Sequence, residues 1–398
     1  MWLNFLPLWS EVRRSYRWLL GACILLHGTF GISANAQPAK IDTLLNESVV
    51  MVPKKALFTI ALETTLYLPD GGGPFPVAVI NHGKAYGDPR FQDRYRPTLA
   101  ASYFLQRGYA VVVPMRQGFS KSEGRYIGVG CNIESNGEMQ ADDVQAALDY
   151  VGAQPWADKS RVLIVGQSHG GWTTLAFGAR NYAGVKGLVN FAGGLRNDDC
   201  PGWQNNLARG AGAFAKTTMV PSLWFYGDND SFFSTPTYRN MFEQYTAAGG
   251  KAALVAFGNF GTDSHGMFAS RAGTAIWQPE LDKFLASISM PYEPLALYAK
   301  FEPASYMPVP PKTTFAALND ETKIPFVRDT GRAGYKKYLT VALPRAFAIS
   351  PSGAWGWFSE GEDPLKRALE ICSNFAKVAC RLYSVDEDIV WPNESVAQ

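Results

Sequence analysis

Three apolar runs constrain the fold of this chain more than any other feature: Pro76-Val-Ala-Val-Ile80, Tyr109-Ala-Val-Val-Val113 and Arg161-Val-Leu-Ile-Val165. A strand that is apolar at successive positions has no face to turn to water. It must be covered on both sides, which is the condition of central strands in a parallel sheet. Helical spacing recurs between these runs, over 95–107, 137–152 and 169–180. Val185–Asn190, Pro221–Tyr226 and Ala253–Phe257 continue the strand series, and a helix at 279–288 closes it. Strands alternating with helices build right-handed crossovers and a mostly parallel sheet, so the fold class is α/β. Residues 47–69 read as two short strands placed ahead of the series.

The N-terminal 36 residues have a different character. Arg13, Arg14 and Arg17 precede an apolar run from Trp18 to Phe30, and Ala34-Asn35-Ala36 supplies small residues before Gln37. That order is a secretory signal peptide, with cleavage expected after Ala36 and delivery to the periplasm or beyond. The run holds His27 and is shorter than the ~20 apolar residues a spanning helix needs, so no stable membrane insertion is expected after cleavage. Without these residues the chain keeps 34 basic and 34 acidic side chains. It therefore lacks the basic footprint of a nucleic-acid binder.

The domain reading is a signal at 1–36, a catalytic domain at 37–289, a proline-rich linker at 290–312 and a small α+β unit at 313–398. In the last, Ala346–Ile349 and Ala354–Trp357 read as strands, 363–376 as a helix and 380–385 as a strand. An oxidising destination makes disulfides plausible for the four remaining cysteines. Cys372 and Cys380 are close in sequence and form the favoured pair, leaving Cys131 with Cys200; buried free thiols are the alternative. No Cys/His cluster points to a metal, and no cofactor is expected.

Four candidate chemical elements each follow an apolar strand. Gly166-Gln167-Ser168-His169-Gly170-Gly171 joins a strand to a helix, the context in which G-x-S-x-G presents a serine on a sharp turn. A serine hydroxyl needs a base. His27 leaves with the signal, His169 sits inside the turn, and His82 reads as support for its own loop. His265, in Thr262-Asp-Ser-His265-Gly, is the base by elimination. The base wants a carboxylate, and Gly227-Asp228-Asn229-Asp230 offers two. Asp230 is preferred because the order Ser168, Asp230, His265 goes with this kind of turn. The backbone N–H groups of Lys84, in Asn81-His82-Gly83-Lys84, and of His169 are candidates for an oxyanion hole.

Together with Arg116-Gln-Gly-Phe-Ser-Lys-Ser-Glu-Gly124, these motifs resemble an α/β-hydrolase, and within that superfamily the exported dienelactone hydrolase-like enzymes. The resemblance spans roughly residues 47–288. It implies the α/β-hydrolase fold and supports Asp230, since in that group the acid stands three residues after the glycine ending its strand. Two departures stand out. The enzymes naming the group use a cysteine where this chain has Ser168, and Gln117 stands where many relatives have arginine. Gly-x-Ser-x-Gly-Gly is equally similar to prolyl-oligopeptidase-like catalytic domains, but the stretch from Gln37 to His82 is too short for the propeller those enzymes carry. Trp355-Gly-Trp and Cys380-Arg-Leu-Tyr look like a module appended to various exported bacterial proteins.

The expected function is hydrolysis of a small-molecule carboxylic ester by a Ser-His-Asp triad, falling off as acid protonates His265. A serine peptidase, or a binding protein on a hydrolase scaffold whose C-terminal unit engages a partner, are the alternatives.

Overall fold

The structure, a computed structural model, describes residues 41–393 apart from 56–57, 86, 129, 303–306, 342 and 360–362. The segment 1–36, expected to be a signal, lies outside the described residues. Eight strands form one sheet in the order β1-β2-β4-β3-β5-β6-β7-β8. They are β1 (Glu47–Lys54), β2 (Ile60–Tyr67), β3 (Phe75–Asn81), β4 (Ala110–Pro114), β5 (Ala157–Gln167), β6 (Val185–Phe191), β7 (Ser222–Tyr226) and β8 (Ala252–Ala256). β1, β2 and β4 pair antiparallel, and β4, β3, β5, β6, β7 and β8 run parallel.

The all-apolar strands do what their composition demands. Successive residues of a strand point to opposite faces, so Val77 and Val79 enter one core while Ala78 and Ile80 enter the other. Val162 and Ile164 likewise alternate with Leu163 and Val165. The first face is covered by α2 (Ile133–Gly152), α3 (His169–Gly178), α4 (Trp203–Ala215) and α5 (Thr235–Ala247). The second is covered by α1 (Thr98–Gln106) and α6 (Arg271–Ser287).

The local sequence pattern does not announce helices α4 and α5. Gly210 and Gly212 weaken α4 by intrinsic propensity. In the fold, Gly210 is where α4 meets Trp172: a Cβ there would lie 2.9 Å from the indole. α5 is polar overall and buries Tyr238, Met241 and Tyr245 along one stripe. Packing decides both helices.

The C-terminal unit has its own antiparallel sheet, ordered β10-β9-β11-β12, from β9 (Arg345–Ile349), β10 (Trp355–Ser359), β11 (Arg381–Val385) and β12 (Asp388–Ile389). α7 (Asp329–Tyr338) and α8 (Pro364–Ser373) flank it, with cores separate from those of the large sheet. The sequence reading missed α7 and β12. Both expected disulfides form, Cys131–Cys200 with Cα atoms 5.6 Å apart and Cys372–Cys380 at 6.2 Å. Residues 290–301 follow an irregular path that is packed down rather than free. Arg107 donates to the Tyr292 carbonyl at 2.7 Å, Ser102 to that of Phe301 at 2.6 Å, and Phe301 is buried. Among the described residues no helix is long and apolar enough to cross a membrane.

Candidate active site

β5 ends at Gln167 and α3 begins at His169, so a single residue, Ser168, makes the turn between them. It does so at φ 56° and ψ −123°. A non-glycine residue with positive φ outside the left-handed helical well carries on the order of 1–3 kcal/mol of strain and persists only where its surroundings enforce it. The surroundings are close. A Cβ on Gly166 would run into the Gly170 carbonyl, and one on Gly170 into that of Asn81. Ser168 N–H donates to Phe191 O at 2.9 Å, and its carbonyl accepts from Trp172 N and Gly194 N, both at 3.1 Å. Backbone on either side of the serine is thereby fixed while its side chain takes no part.

The first N–H groups of a helix have no partner within it and carry its positive end. The N–H of His169, first residue of α3, is one of these. On the opposite side Gly83 presses against the turn: a Cβ there would stand 2.7 Å from Gln167 Oε1 and 3.2 Å from Ser168 Cβ. That approach brings the backbone at Gly83 beside the serine. Lys84 turns its ammonium away, to the carbonyls of Ala85 (3.1 Å) and Gly87 (3.2 Å).

His82 buttresses this loop, as its sequence context suggested. Its Nδ1 donates to Gly83 O at 2.6 Å and its Nε2 accepts from Arg116 N–H at 3.0 Å, which assigns the neutral form protonated on Nδ1. Burial pushes its pKa well below the ordinary 6.5, and the Arg116 charge pushes the same way. Arg116 is itself buried and donates through Nη1 to His82 O at 2.6 Å. Burial brings its pKa down to about 10, against the pull of Asp143. The His169 ring points away from the turn to Asn136 Oδ1, 3.2 Å from Nε2, and burial lowers its pKa well below 6.5 too.

Beyond β7 the two aspartates separate. Asp228 accepts from Thr235 Oγ1 at 3.0 Å and Tyr238 OH at 2.9 Å, tying down the start of α5. Asp230 meets His265: Nδ1 lies 3.0 Å from Oδ2 and 3.1 Å from Oδ1. The N–H groups of Phe232 and Phe233 also donate to Oδ1, at 2.8 and 2.9 Å. The Asp230 carboxylate is fully buried and the His265 side chain nearly so, with Phe232 and Phe233 against the ring. Gln167 Nε2 donates to His265 O at 3.3 Å, joining the histidine loop to the residue before Ser168.

Asp263, Gln117, Lys54 and Asp143 support the site without a role assigned to them by sequence. Asp263 accepts from His265 N–H at 2.9 Å and from Ser231 Oγ at 2.6 Å, so it pins the loops of His265 and Asp230 together. An Asp two positions before a loop histidine is a recognisable Asx-turn signal. Gln117 accepts from Lys54 Nζ at 2.8 Å, and Lys54 pairs with buried Asp143 at 2.6 Å. Asp143 then accepts from Gln117 N–H at 3.0 Å. A triangle closed across residues 54, 117 and 143 leaves no local pattern to read.

A parallel sheet flanked on both faces, with the serine turn after β5, the acid after β7 and the histidine after β8, settles the architecture. The chain has the α/β-hydrolase fold. Residues 59–220 match the family described as X-Pro dipeptidyl-peptidase (S15 family). Similar solved structures include a protein described as a dienelactone hydrolase from Klebsiella pneumoniae, 17% identical, covering 61% of this chain and 98% of that one with a TM-score of 0.45. A puromycin-hydrolysing peptidase of Mycobacterium tuberculosis is 19% identical over 62% of this α/β-hydrolase chain, which spans only 40% of that longer protein (TM-score 0.46). An esterase from Pyrococcus furiosus is 15% identical over 63% of this chain and 95% of its own, with a TM-score of 0.45. No curated protein matches the chain.

Proposed function

We propose that this α/β-hydrolase is an exported serine hydrolase that cleaves carboxylic esters through an acyl-enzyme. Ser168 is the nucleophile, His265 the base and Asp230 the carboxylate that orients it. The observation that carries the reading is the enforced positive φ of Ser168 at the head of α3. Strain of that kind collects at reacting residues, because it holds a side chain out of the regular structure on either side.

The chemistry follows from the geometry around it. Asp230 accepts from His265 Nδ1–H, which makes Nε2 the ring nitrogen that takes the serine proton as Oγ attacks the ester carbonyl. The oxyanion is received by the N–H of His169 at the positive end of α3 and by that of Lys84. His265 then hands its proton to the leaving alcohol and activates water for deacylation. Every step uses groups of the chain itself. Two disulfides support an oxidising destination.

The S15 match over 59–220 favours one second reading, cleavage of a peptide bond by the same three residues. The first experiment is intact-mass analysis after a fluorophosphonate probe. One adduct on the native chain and none on Ser168→Ala is the expected result, and no adduct on folded native chain overturns both readings. Turnover of p-nitrophenyl acetate against alanyl-prolyl-p-nitroanilide then separates ester from peptide; faster anilide hydrolysis would overturn the ester assignment.

A further inference from the structure

His265 is followed by Gly266, whose φ is not in the left-handed region, so its backbone conformation does not call for glycine. The space does. A Cβ at 266 would stand 2.6 Å from the carbonyl oxygen of Leu343, in the turn that leads into β9 of the C-terminal unit. The Leu343 side chain reaches the same loop at its other end, where Cδ1 would be 3.9 Å from a Cβ on Gly261. The C-terminal unit thus rests on the histidine loop at both ends, with backbone against backbone beside His265.

A second contact lies on the other side of Ser168. Arg367 of α8, its guanidinium over the Phe358 ring at 4.8 Å, forms an ion pair with Asp93. Asp93 belongs to the stretch between β3 and α1 that opens with His82, Gly83 and Lys84. In the sheet, β3 stands on one side of β5, and β6, β7 and β8 stand on the other. The C-terminal unit is therefore held at the loop after β3 and at the loop after β8. Those two loops bracket the strand ends that carry Ser168 and Asp230.

We propose that the C-terminal unit is a fixed cap on the catalytic site, seated through Leu343 on the His265 loop and through Arg367 on Asp93, and that it limits the size of acyl group reaching Ser168. The proposal rests on the serine-hydrolase reading above. Among the described residues the cap shares no buried core with the large sheet, so its seating depends on surface contacts, and reversing the charge at Arg367 turns one of them from attraction to repulsion. Capped, the site takes short acyl esters; loosened, it admits long ones. The gain falls on kcat/KM for the bulky substrate, because only access changes while Ser168, His265 and Asp230 stay as they are.

The test uses the full-length chain and three forms of it: native, Arg367→Glu, and Arg367→Glu with Asp93→Arg, which rebuilds the pair with the charges exchanged. Each is assayed on p-nitrophenyl acetate and p-nitrophenyl laurate, with thermal melting to show that all three fold. The expected result is a several-fold rise in laurate kcat/KM relative to acetate in Arg367→Glu, with acetate turnover unchanged, and return toward the native ratio in the exchanged pair. An unchanged ratio, or one the exchanged pair does not restore, overturns the cap. A small fluorophosphonate, diisopropyl fluorophosphate, separates the two failures. Labelled Ser168 with a flat ratio leaves the hydrolase reading standing without the cap, whereas no labelling of the native chain removes both.

Discussion

At Asp230 both carboxylate oxygens are committed, to His265 Nδ1 and to the N–H groups of Phe232 and Phe233. Asparagine in its place keeps the shape but offers an N–H where the ring needs an acceptor, which favours the wrong tautomer. We expect Asp230→Asn to lower kcat by on the order of 10⁴ while leaving the fold intact. Asp228→Asn should act on the melting temperature, since Asp228 serves α5. Kinetics on the two variants checks the division. His82 and His169 make a different prediction. Their folded pKa values lie well below the ordinary 6.5, so the unfolded chain binds protons that the folded chain refuses. Stability is fully present above that value and is lost as pH falls below it, by up to about 1.4 kcal/mol per pH unit for each ring. Urea midpoints measured from about pH 7.5 down to about pH 5.5 should fall, and less steeply in His169→Gln.

Between elements, the two disulfides close loops of very different length. Cys131–Cys200 spans 69 residues and joins the approach to α2 to the approach to α4, whereas Cys372–Cys380 spans eight. Chain-entropy arguments give at most about 4 kcal/mol for the first and about 2 for the second. Denaturation of Cys131→Ser/Cys200→Ser and Cys372→Ser/Cys380→Ser chains should show that order. The buried Lys54–Asp143 pair ties β1 to α2 and, through Gln117, to the loop after β4. Lys54→Met leaves the buried Asp143 carboxylate without its paired cation and should cost about 3–5 kcal/mol. Helix starts illustrate what local pattern misses. α2 begins at Ile133, capped by Asn132 on Ser135 N–H, four residues before the expected start at Gly137. That position inside the helix is a glycine because a Cβ there would stand 2.8 Å from Trp172 Nε1.

Across the molecule, the proline-rich segment after α6 is held against the large domain. Arg107 binds both Asp282 and the Tyr292 carbonyl and stacks 3.6 Å from the Tyr103 ring centre. Arg107→Ala removes charge-assisted bonds that typically contribute about 1.5–3 kcal/mol each. Limited proteolysis of that variant should cut first within 290–301, where the native chain resists. The C-terminal unit adds a cleft of about 890 Å³ lined by Phe326, Arg328, Trp355, Trp357 and Phe375 among others. Ser168, Asp230 and His265 are not among its walls.

The apolar runs at 76–80, 109–113 and 161–165 determined the parallel sheet by themselves, because a strand without a polar face has one kind of environment open to it. Gly166, Ser168 and Gly170 likewise announced the serine turn as a local pattern, although the clash that requires Gly170 is with the distant Asn81 carbonyl. What Gln117 does, where α4 and α5 form and how Leu343 comes to rest on Gly266 were decided by tertiary structure. Each depends on contacts between segments far apart in sequence, made only once the sheet has brought its strand ends together.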